Sequence, residues 1–205
     1  MLDEKRIRWQ RDATLLKYEL CDLQRFRLCR DIFYWAAGQH PAMIEDDGPI
    51  ISHLIGLHRD FDIAVVRRIA KTHPDAASIP GLLSDLIRFE SLARTSFPSL
   101  PQLSELTGDL EALTNATQPI IAPVDKAFAH LNRTPSASLW DTVRPDRPGA
   151  IEVTLEIGKK YMALLGDLVP NVMAISEREL RDTFGFIWVD EGIAIPERLL
   201  EGDRL

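Results

Sequence analysis

Residues 1–38 contain no proline, and their one glycine, Gly38, stands at the end. Within this stretch Leu16, Leu20 and Leu23 recur at helical spacing, and Phe26, Cys29, Ile32 and Phe33 extend the same apolar stripe. The pattern predicts one long helix from about Leu2 to about Gly38. It ends in "AAGQHPA", where Gly38 and Pro41 supply the stop.

The rest of the chain reads largely as further helices. "EDDGPI" is an acidic start, suited to the positive end of a helix dipole, for a second helix running roughly from Pro49 to Thr72. Ile51, Leu54, Ile55, Val65, Val66 and Ile69 form its apolar face, and His73-Pro74 ends it. "SIPGLLSDLIRFESLAR" predicts a third helix with Ser78 as its N-cap. "FPSLPQLSELTGDLEALTNA" starts a fourth near Pro101, and "PIIAPVDKAFAHL" continues it or begins a fifth. Pro119 and Pro123 lack backbone donors, so a kink or break is expected there. "NRTPSASLWDTVRPDRPG", with three prolines and several small polar residues, is a loop.

A further helix follows from about Ala150 to Leu168, with Ile151, Leu155, Tyr161, Met162 and Leu165 expected to be buried. In the tail, Ser176 and Glu179 stand in a capping-box arrangement, and "FIWVDEGIAIP" suggests a short hairpin around "DEG". The expected fold class is all-α, an antiparallel bundle of five or six helices. Residues 1–168 would form the bundle, with 169–205 a C-terminal appendage packed on it.

A chain of 205 residues with 45% hydrophobic and 27% charged residues can bury a core without disulfides or metals. The net charge of −7 argues against a dedicated duplex DNA binder but leaves room for a local basic groove. Cys21 and Cys29 are about 12 Å apart along a helix, too far for a disulfide within it. Reduced thiols fit a cytoplasmic protein. The charged start "MLDEKRIRWQRD" does not read as a signal peptide, and no apolar run reaches the length of a membrane span.

No phosphate-cradling glycine loop, CxxC or HExxH occurs, so no metal or cofactor is expected. Of the five histidines, His40 and His73 precede prolines at helix ends, and His53 reads as solvated. His58 and Asp62 stand at i, i+4 on the apolar face of the second helix. Such a pair is a satisfied buried hydrogen bond or the wall of a ligand site. Arg67 and Arg68 follow. They either make salt links along their own helix or reach a neighbouring helix's carboxylate or a bound anion.

"VDKAFAHLNR" places Asp125, Lys126 and His130 within six residues, with Lys126 and His130 on one helical face. An imidazole titrating near neutrality can move protons, and a lysine can hold a phosphate. The same residues also suit an ordinary helix C-terminus, where His130 and Arg133 favour the negative dipole end.

At this segment the chain resembles the HEPN superfamily, and more narrowly the AbiU-type HEPN-like proteins of bacteria, associated with abortive-infection phage defence. The resemblance rests on the long first helix, "RDFDIAVVRRIAK", "ASIPGLLSDLIRF", "DKAFAHLN" and "IEVTLEIGKKYMALLGD", and it covers about residues 8 to 168. It implies a helical bundle that pairs as a homodimer. In ribonuclease members an arginine precedes the histidine with four to six residues between them. Two such motifs line one cleft, and the RNA 2′-hydroxyl attacks without a metal. Here the histidine position is His130, and the arginine would fall at Asp125, Val124 or Pro123, none of which is arginine.

Three functions follow as expectations. The first is a metal-independent endoribonuclease with His130 as acid and base and Lys126 and Arg68 on phosphate. The second is a HEPN-like module without that chemistry, binding RNA, a nucleotide or a protein partner. The missing arginine and the acidic charge favour it. The third is an unrelated helical enzyme or ligand-binding bundle with His58 and Asp62 lining a pocket.

Overall fold

A computed structural model describes residues 2–39, 57, 61–73, 75–129, 143 and 145–165. Among these the chain is an all-α bundle of six helices: α1 (Leu2–Gln39), α2 (61–70), α3 (Ile79–Arg88), α4 (Glu90–Ser96), α5 (Leu103–Ala129) and α6 (Arg147–Leu165). No described helix is long and apolar enough to cross a membrane. The chain divides into two compact units, one of residues 1–20 and 62–169 and one of residues 21–61 and 170–205. The tail at 169–205, with its expected hairpin, lies outside the described residues, as do the start of the second helix and most of the expected loop.

In the first unit, α1 buries Trp9, Ala13, Leu16 and Leu20, one apolar stripe at helical spacing. At residue 20 the stripe approaches α6 so closely that a Cβ on Gly158 would lie 2.6 Å from Leu20 Cδ1. The absence of a side chain at position 158 creates that contact. All five residues expected to be buried on α6 are buried. The early part of α5 meets the late part of α6, where Lys160 Nζ lies 2.7 Å from Glu105 and 2.6 Å from Asp109. Further along, Ile120 and Val124 share a core cluster with Ile63, Val143 and Ala150. The two helices therefore run antiparallel.

In the second unit, Phe26 and Phe61 stack with ring centroids 3.7 Å apart. Cys21 is a buried thiol in no disulfide, as expected, whereas the side chain of Cys29 lies outside the described residues.

Two helix boundaries differ from the sequence expectation, and one that the sequence leaves open is decided. Ser78 caps α3 as expected, its Oγ accepting from Gly81 N at 3.2 Å, but the expected third helix is interrupted at Phe89 (φ −116°, ψ 39°). There the Phe89 ring lies under Lys5 Nζ at 4.0 Å, a long-range contact that local periodicity does not encode. α5 runs through Pro119 and Pro123 as one helix, so "PIIAPVDKAFAHL" continues the fourth expected helix rather than beginning a fifth. The carbonyls freed by those prolines belong to Asn115 and Pro119, both exposed, so water can satisfy them. α6 starts at Arg147 rather than near Ala150, because Pro148 falls in the first turn, where its missing N–H costs nothing.

The turn into α5 is held by Arg94. It pairs with Glu90 at 2.9 Å and donates to the carbonyls of Leu100 and Pro101 at 3.1 and 2.8 Å.

Candidate functional site

The site begins with a helical register. Ile63, Arg67 and Lys71 follow one another at intervals of four residues, so they share one face running off the end of α2. Ile63 is buried against Ile120 and Val124 of α5. That apolar contact sets the height at which the next two residues meet α5, and what they meet is Asp125, the neighbour of Val124. Arg67 Nε donates to Asp125 Oδ1 at 2.6 Å, and Lys71 Nζ donates to Oδ2 at 2.5 Å.

One carboxylate is thus bracketed by two cations, each on its own oxygen. The side chains of Arg67, Lys71 and Asp125 are 36%, 40% and 29% exposed, so the cluster sits at the protein surface. Burial pushes the Asp125 carboxyl up. The hydrogen bonds and positive charges of Lys71 and Arg67 outweigh this and hold it below the usual carboxylate value. Lys126, next in sequence, is exposed and makes no ion pair among the described residues.

The other expected site residues are dispersed. Arg68 pairs with Glu19 of α1 rather than joining the cluster. Asp62 is fully buried, with Arg147 Nη2 at 3.8 Å from its Oδ2, which ties α2 to the first turn of α6. Both arginines therefore reach a carboxylate on a neighbouring helix. His58 and His130 lie outside the described residues. Lys71, Glu19 and Arg147 are charged partners that sequence reasoning did not single out. A signal for Lys71 exists, since it stands four residues beyond Arg67 and eight beyond Ile63. No comparable local signal marks Glu19 or Arg147.

The chain matches no family model, no curated protein and no solved structure. What the site can do is therefore argued from its chemistry. Paired cations on a carboxylate can brace two helices, and cations at a surface can hold an anion. Among the described residues no group of three or more His, Cys, Asp and Glu side chains is placed to hold a metal ion.

Proposed function

We propose that this chain is a HEPN-like helical module of a bacterial defence or toxin-type system that binds RNA, a nucleotide or a protein partner and does not cleave RNA. The supporting observation is the state of Asp125. It stands at one of the three positions where the HEPN resemblance would put an arginine, and its carboxylate is engaged by Arg67 and Lys71. An arginine there would stabilise charge developing on the scissile phosphate, whereas a carboxylate opposes that charge. The rival reading is a metal-independent endoribonuclease using His130. It draws support from the same cluster, because Arg67 and Lys71 bring positive charge to that position from another helix.

One experiment separates the two. The purified full chain is incubated with labelled single-stranded RNA in excess chelator, and binding and cleavage are followed together. The expected result is intact RNA. Cleavage that His130→Ala abolishes would overturn the non-catalytic reading and establish the rival.

A further inference from the structure

Different helices hold the two parts of α5. Its proximal part meets the late part of α6, where Asp109 accepts from Lys160 Nζ and from the Tyr161 hydroxyl, both at 2.6 Å. Its distal part meets α2. Ile120 and Val124 pack with Ile63, and Asp125 accepts from Lys71 Nζ at 2.5 Å. Ala150, in the first turn of α6, joins the same apolar cluster, and Arg147 Nη2 lies 3.8 Å from Asp62 Oδ2 of α2. That first turn therefore belongs with the distal contacts.

Pro119 and Pro123 stand between the two sets of contacts. A proline removes the bond from its own position to the carbonyl four residues earlier. The bond missing at Pro119 would have spanned residues 115–119, and the one missing at Pro123 would have spanned 119–123. The four-residue spacing joins the two gaps end to end. Every turn of α5 between residues 115 and 123 is therefore one backbone bond short, and the deficit runs along a face exposed at Asn115 and Pro119. A helix weakened on its solvent side bends about its buried side.

We propose that α5 is hinged between residues 115 and 123, and that its distal part opens together with α2 and the first turn of α6 while its proximal part stays on α6. The Lys71–Asp125 pair is a latch on that opening. Its side chains are 40% and 29% exposed, so salt weakens it. The hinge is a property of the fold and does not depend on what the chain binds.

Amide hydrogen exchange of the full chain under native conditions, resolved by residue with NMR, is the direct test. Residues 107–117 should exchange slowest. Protection should fall in one step between 117 and 120, to a common lower level for residues 120–125 and for residues 65–70 of α2. Lys71→Ala should speed exchange in those two sets roughly twofold to fivefold and leave 107–117 unchanged. Tyr161→Phe should do the reverse. Restoring both backbone bonds with Pro119→Ala and Pro123→Ala together should shrink the step roughly tenfold or more. Each variant is first checked for helical content by circular dichroism.

Protection that declines smoothly toward the end of α5 is ordinary fraying and overturns the inference. So does a Lys71→Ala variant in which the two parts of α5 respond alike, and so does a step that the double alanine variant leaves undiminished. If the double variant does not fold, Lys71→Ala and Tyr161→Phe still decide, because only a hinge confines each effect to its own part of the helix.

Discussion

Tyr161→Phe tests the polar brace between α5 and α6, and its effect should change sign with pH. Tyr161 is fully buried, and its hydroxyl donates to Asp109 Oδ2 at 2.6 Å. A hydrogen bond to a charged acceptor contributes about 1.5–3 kcal/mol. Lys160 still holds Asp109 after the substitution, and that carboxylate is 22% exposed, so the lower end applies. The variant should lose about 1.5 kcal/mol at pH 7, a fall of roughly 3–6 °C in Tm for a chain of this size.

Burial comes first among the causes that push the Tyr161 phenol well above its ordinary value, followed by its hydrogen bond to Asp109 and the charges of Asp109 and Glu105. A folded-state value raised above the unfolded one means that the stabilisation is complete below about pH 10 and is lost as pH rises further. Wild type then loses up to about 1.4 kcal/mol per pH unit through this group, and the variant does not. The two should be equally stable near pH 11, with the variant ahead beyond that. Urea unfolding followed by far-ultraviolet circular dichroism from pH 7 to 11.5 measures the gap. A variant as stable as wild type at pH 7, or a gap that stays constant between pH 9 and 11, would refute the reasoning.

Three other substitutions probe the elements that position the site. Asp125→Asn should cost about 1 kcal/mol at pH 7. Because burial is outweighed by Lys71 and Arg67 and the folded value is lowered, that deficit should fade as pH drops below about 4, in chemical denaturation across the acid range. Asp85→Ala should cost about 2–4 kcal/mol, since it strands the Trp9 indole N–H, now bonded to Asp85 at 2.8 Å, and releases Lys5; tryptophan fluorescence should report the loosened indole during unfolding. Gly158→Ala should destabilise by about 1–2 kcal/mol despite alanine's better helix propensity, through overlap with buried Leu20. In a double-mutant cycle, Leu20→Ala should relieve that cost, and strict additivity of the two changes would contradict the contact.

The features legible in the sequence are those set within a few turns of chain. The α1 stripe, the Ser78 cap and the buried face of α6 each follow from spacing or from one side chain meeting a nearby backbone group. The departures share one origin, in that the deciding partner is remote. Phe89 interrupts a good helical pattern beside Lys5 of α1. The choice left open at Pro119 and Pro123 is settled in the same way, because the carbonyls they leave without a donor lie on an exposed face, and exposure is a tertiary property.

The candidate site shows the same division. Along the chain, Asp125 reads together with Lys126 and His130 as one local cluster. In the fold, its partners come from 58 and 54 residues away. Lys71 looks like an ordinary solvated residue at a helix end until Ile63 is seen to face Val124. Once that apolar contact is known, the four-residue spacing carries Arg67 and then Lys71 to Asp125 without further information. The functional question thus turns on packing. Whatever moves α2 along α5 must break or remake the bracket on Asp125, and the charge at that surface depends on the register of two helices.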